Sequence, residues 1–266
     1  MTPSNHFDDV ALLNGTWQDG FAVALIILFI GLSVAFLRAR PKDVSIYNPK
    51  LAWMRGGLYF LGCFIVAWAT GVFQTITTRP LVTPQQISDP LWIALSALAL
   101  GTISFGYLYW WPRGTVTHGR KLYPLPTLVF GILWGLGEGQ LILSVYAVAE
   151  TFDWPRWVNG LATYLVIGAI NGAYHALWWD IHVSPPHNIR EWNAKKVLFA
   201  HTPNLIVTLT YFTWFGNAGL FVLLQTLSLA ASTWAMRFPP FFAQGGGSVD
   251  KDTATGIPQS EAERYR

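Results

Sequence analysis

Charge is the scarcest ingredient of this 266-residue chain, with Asp, Glu, Lys and Arg making up only 12% of it. A soluble domain carries about twice that share, so a water-solvated globule is excluded. There is one cysteine, Cys63, which rules out an internal disulfide. It lies in an apolar run and reads as a small buried hydrophobe. No Lys or Arg precedes Arg38, whereas Asp8, Asp9 and Asp19 do. The first apolar run therefore lacks the basic flank of a cleaved signal and reads as a retained helix. Alternation of apolar and polar residues is missing, which excludes a membrane β-barrel. The net charge of +3 is scattered over loops, which argues against a nucleic-acid face. No solenoid repeat is present.

What is present is apolar and aromatic. Hydrophobic residues make up 52% of the chain, with 24 Gly and 14 Trp among them and between them. Seven continuous apolar segments stand out: 20–37, 56–76, 91–110, 125–149, 157–179, 198–215 and 220–236. Each is long enough for a hydrocarbon core of about 30 Å. The expected fold is therefore all-α, a polytopic membrane bundle of seven transmembrane helices over residues 1–242. Residues 243–266 turn rich in Gly, Ser, Thr and charge and read as a disordered cytoplasmic tail.

Loop charges orient the chain. Arg38, Arg40, Lys42, Lys50 and Arg55 fill the first connection, Arg113, Arg120 and Lys121 the third, and Arg190, Lys195 and Lys196 the fifth. The other side holds Arg79 and Arg156 beside Asp89, Glu150 and Asp153. The positive-inside rule then puts the N-terminus outside and the C-terminus in the cytoplasm, which in a bacterium means the inner membrane. Trp and Tyr at the segment ends (Tyr107, Tyr109, Trp110, Trp111, Trp157, Trp178, Trp179) form an interfacial belt.

Polar residues at membrane depth are costly and point to function. Glu138 stands at the centre of the fourth segment between Gly137 and Gly139, with Gly135 one turn back. Those glycines predict either close helix approach or a local break. The fifth segment ends in Asn171, His175, Asp180 and His182, with positions 171, 175, 178 and 182 on one helical face. Pro185 and Pro186 then turn the chain to His187 and Asn188. The sixth segment opens with His201, Asn204 and Thr208 on one face. His118 lies in a basic loop and reads as solvated. Gln74 and Gln225 read as interhelical hydrogen-bonding groups.

Imidazole suits iron and zinc. His175, His182, His187 and His201 are therefore the expected metal ligands of a cytoplasmic-side site, with iron or zinc as the cofactor. Glu138, Asp180, Asn171 and Asn204 are the expected catalytic and orienting residues. Rise per residue puts Glu138 about 10 Å deeper than His175, at the inner end of a pocket whose mouth carries the histidines. The histidine spacings (x6, x4, x13) differ from the HxxxH and HxxHH boxes of di-iron membrane desaturases. The seventh segment lacks both the HxxxH of seven-span ceramidase-type hydrolases and the retinal-binding lysine of microbial rhodopsins.

The expected function is a membrane enzyme, an oxidoreductase or hydrolase, acting on a lipid or isoprenoid. Its partners would be membrane lipids or a lipophilic small molecule. A proton-coupled transporter centred on Glu138 and a non-catalytic receptor or assembly partner remain open at this point.

Overall fold

The computed structural model describes residues 6–7, 31, 46–113, 115, 121–177, 181–182 and 195–243. The first apolar segment except Gly31, together with His118, Asp180, His187, Asn188 and the tail from residue 244, lies outside the described residues. His182 is described in its backbone alone.

A two-residue strand, β1 (Ile46–Tyr47), precedes helix α1 (Pro49–Ala69), which Asn48 caps by accepting from the Leu51 amide at 3.1 Å. Two short helices follow, α2 (Val72–Thr78) and α3 (Pro84–Ile87). Next come α4 (Pro90–Arg113), α5 (Pro124–Glu150) and α6 (Arg156–Leu177). Strand β2 (Ile181–His182) pairs antiparallel with β1. Helix α7 is π-helical over Val197–His201 and α-helical over Thr202–Phe215, and α8 spans Ala218–Ala235. Helices thus occupy the second to seventh apolar segments.

Four helices, α1, α4, α5 and α8, are long and apolar enough to cross a membrane. They mark a membrane-embedded chain. Large apolar side chains such as Leu58, Leu61, Ile65 and Trp68 on α1, and Leu100 and Leu108 on α4, point away from the bundle. In lipid such exposure costs nothing.

Two boundaries differ from the sequence reading. The second segment is not one helix through residue 76, because Gly71 adopts φ +73°. Glycine enters this left-handed region without steric cost, and it ends α1 there. Helix α6 is described to Leu177, and His182 belongs to β2. Of the face expected to unite residues 171, 175, 178 and 182, His182 is therefore in a strand, and residue 178 lies outside the described residues.

Helix α5 is the axis of the bundle. Gly131, Gly135 and Gly139 recur every four residues and form one face, which meets α8 backbone to backbone. A Cβ on Gly131 would come 2.7 Å from Ala230 Cα, and one on Gly139 3.1 Å from Val222 Cα. At Gly135 a Cβ would collide with the Thr226 backbone. A second face meets α1, where a Cβ on Gly137 would stand 3.3 Å from Phe60 Cα. Of the two options the glycines left open, close approach is the outcome, and α5 is continuous.

The contacts also give directions. Gly56 faces Phe130, Cys63 faces Gly137, and Thr70 Oγ1 donates to Ser144 Oγ at 3.1 Å. Helices α1 and α5 therefore run parallel, and α8 runs against them. At the end where α5 finishes, the His6 amide donates to both Glu150 carboxylate oxygens at 3.1 and 3.2 Å, and Arg79 donates to the His6 carbonyl at 2.6 Å. Phe7 is buried there against Phe212. At the opposite end Trp53 Nε1 donates to the Pro239 carbonyl at 2.8 Å, and Phe238 stacks on Phe130 at 3.8 Å.

Replacing Gly135 by Ala should destabilise the protein by about 1–3 kcal/mol, because the added methyl meets fixed backbone. Gly57→Ala, where nothing stands within 4 Å, should leave stability unchanged or improve it. Thermal unfolding of the two variants in detergent tests the contrast.

Candidate functional site

Glu138 sits where α1, α5 and α6 meet. Asn171 Nδ2 of α6 donates to Oε1 at 2.6 Å, and Trp134 Nε1, one turn back on α5, donates to Oε2 at 3.1 Å. The two donors fix the carboxyl group's position and plane. Aromatic rings wall it. Tyr59 of α1 stacks on Trp134 at 4.9 Å, and Tyr174 of α6 meets Trp134 edge-on at 5.0 Å and Tyr59 at 5.4 Å. The Tyr59 hydroxyl is buried and makes no hydrogen bond among the described residues. Glu138 itself keeps partial exposure. Aimed by two donors from different helices, the carboxyl group suits acid–base chemistry.

Glu138 bonds directly to Asn171, and Asn171 is one helical turn, about 6 Å of rise, from His175. The carboxyl group thus joins the inner end of the stripe that carries His175. Packing of α5 on α6 sets this level.

A second polar group lies where two π-helical segments face each other, Ser104–Trp110 in α4 and Val197–His201 in α7. Such segments are rare and recur at functional sites. They pack closely, since a Cβ on Gly106 would come 2.9 Å from Ala200 Cα. Here His201 Nδ1 hydrogen-bonds the Tyr107 hydroxyl at 2.8 Å, and the His201 ring meets Trp111 edge-on at 4.8 Å. Just before this segment, Lys196 is buried with its ammonium 4.8 Å from the Trp111 ring centroid. Burial pulls the Lys196 ammonium from its ordinary 10.5 down to about 7.

The remaining expected residues separate. His175 is exposed, with Nδ1 on the Asn171 carbonyl at 2.8 Å. Asn204 is buried and turns to α8, where Nδ2 donates to Gln225 Oε1 at 3.3 Å and Ser228 Oγ at 3.1 Å. Gln225 Nε2 donates in turn to Thr208 Oγ1 at 2.8 Å. Gln225 thus performs the interhelical bonding expected of it, whereas Gln74 is exposed. Cys63 is buried, as expected. Among the described residues no group of three or more His, Cys, Asp and Glu side chains could hold a metal ion. Asp180 and His187 lie outside those residues.

Residue-by-residue reading passed over Trp134, Tyr59, Tyr174, Tyr107, Trp111 and Lys196. Trp134 carried a usable signal, its place four residues before Glu138 on the same face. The others come from different helices and meet Glu138 or His201 only through packing.

Removing the Asn171 donor by Asn171→Ala should cost about 1–2 kcal/mol, read as a lower unfolding temperature in detergent. For Lys196 the unfolded chain binds a proton that the folded chain has shed between about pH 7 and 10.5. Stability should therefore rise with pH across that window and lose this rise in Lys196→Met, as thermal unfolding at the two ends of the window would show. No protein-family model, no curated protein and no solved structure matches the chain.

Proposed function

We propose that this chain is a membrane enzyme acting on a lipid or isoprenoid substrate, with Glu138 as its acid–base residue. One observation carries the reading: a carboxyl group in the middle of an apolar helix is held by N–H donors from α5 and α6 and walled by aromatic rings, on a residue that keeps partial exposure. Asn171 positions that carboxyl group. The aromatic wall suits an apolar substrate reaching Glu138 from the bilayer.

His175, His182, His187, His201 and Asp180 form the cytoplasmic-side group of the same proposal, with iron or zinc as the metal that such a donor set favours. In both described rings Nδ1 is bonded to the protein. A metal would therefore be taken by Nε2.

The proposed topology is seven spans, with the N-terminus outside and the C-terminus cytoplasmic, in the plasma membrane of a bacterium. Two contacts support the odd number. His6 and Phe7 dock at the Glu150 end, whereas Phe238 and Pro239 dock at the Trp53 end. Tyr47 also adjoins α1 at that second end, which supports one further crossing between residues 7 and 46. Segment 20–37 is the apolar run available for it.

The test expresses wild type and Glu138→Gln at equal level and compares lipid and isoprenoid extracts of the membranes by mass spectrometry. A species converted by wild type should lose its conversion in Glu138→Gln by about 100-fold or more. Extracts that do not differ between wild type, the variant and membranes without the protein would overturn the enzyme. Proton flux into vesicles, driven by wild type and lost in Glu138→Gln, would identify a transporter instead. Elemental analysis reads the metal separately. Near-stoichiometric iron or zinc, lost in the His175→Ala/His201→Ala double variant, is the expected result.

A further inference from the structure

Lys196 and Trp111 bring an ammonium and an indole N–H to one place. Each residue is only 8% exposed. The ammonium lies over the Trp111 ring, 4.8 Å from its centroid, and keeps what little access the Lys196 side chain has. The Trp111 indole Nε1 is buried and lacks a hydrogen-bond partner among the described residues. A cation over a ring recovers only part of its lost hydration. A buried indole N–H without an acceptor is costly, and with a largely desolvated ammonium against the same ring it points to an absent anion.

Place narrows the chemistry. Trp111 closes α4 and Lys196 precedes the apolar run of α7, so both lie at the membrane face, beside the aromatic belt residues Tyr109 and Trp110. Arg113, two residues on, is exposed and adds positive charge. Phosphates of lipid headgroups occupy this depth, and basic pockets between helices at this face bind them.

We propose that Lys196 and Trp111 form a phosphate site that takes the headgroup of an anionic amphiphile, Lys196 supplying the charge and the Trp111 N–H the direction. An oxyanion there would return Lys196 to its charged form. The site needs the membrane placement of α4 and α7, but not the chemistry assigned to Glu138.

Calorimetric titration of the full chain in a non-ionic detergent with dodecyl phosphate tests this, with dodecanol and inorganic phosphate as comparisons. Wild type should bind dodecyl phosphate, and Lys196→Gln should weaken it about tenfold or more. Trp111→Phe, which keeps a ring and removes the N–H, should weaken it about threefold, and it decides the matter where Lys196→Gln does not fold. Lys195→Gln and Glu138→Gln should bind as wild type does, so loss of the Glu138 chemistry leaves this result standing. Inorganic phosphate binding as tightly as dodecyl phosphate would keep the phosphate site and make free phosphate its ligand. Dodecanol binding as tightly as dodecyl phosphate, or unchanged binding in both Lys196→Gln and Trp111→Phe, would overturn it.

Discussion

The contact on which the bundle depends is the backbone approach of α5 to α8. Gly131, Gly135 and Gly139 remove every side chain from one face of α5, and α8 settles there with Val222, Thr226 and Ala230 at van der Waals distance. In lipid there is no hydrophobic gain from pressing apolar helices together, so close packing and hydrogen bonds must supply the attraction. Spending one face of α5 on glycine leaves its other faces for chemistry. Phe130 and Gly137 go to α1, and Trp134 and Glu138 go to the junction with α6.

The second constraint is that polar groups between the helices find partners. Asn204, Gln225, Ser228 and Thr208 hydrogen-bond one another across α7 and α8, and Thr70 and Ser144 do so across α1 and α5. These bonds fix rotation about each helix axis, which glycine packing alone leaves loose. Against that background the unsatisfied groups gain meaning. The Tyr59 hydroxyl beside the Glu138 pocket and the Trp111 N–H beside Lys196 are two of the buried donors without a partner among the described residues. Both stand next to an ionisable side chain, which is where a ligand would complete them.

Much of the architecture was legible from residue order. The second to seventh apolar segments predicted helices that the structure contains, and Glu138 stood out as a carboxylate that lipid would not tolerate without a purpose. Asn171 was legible as a polar residue facing inward, but not as the partner of Glu138, because the match depends on how far α5 and α6 slide past each other. Periodicity carried the expected helix through His182, although the structure gives residues 181–182 to a strand. Asn204 and His201 were placed on one face, and they do neighbour each other. The intervening turn nevertheless sends Asn204 to α8 and His201 to Tyr107, since π-helical winding before Thr202 rotates His201 out of the α-helical register.

The sequence by itself determined the apolar surroundings and the helical class, because hydropathy acts locally and needs no knowledge of neighbours. It also determined that Glu138 required an explanation, since the cost of a carboxylate at that depth follows from its position alone. Only the tertiary structure decided what answers it: Asn171 and Trp134 as donors, with Tyr59 and Tyr174 as walls. It alone brought Lys196 onto Trp111 and His201 onto Tyr107. These are contacts between segments about 85 to 95 residues apart, and no local pattern encodes them. They arise from the angle and depth at which packed helices come to rest.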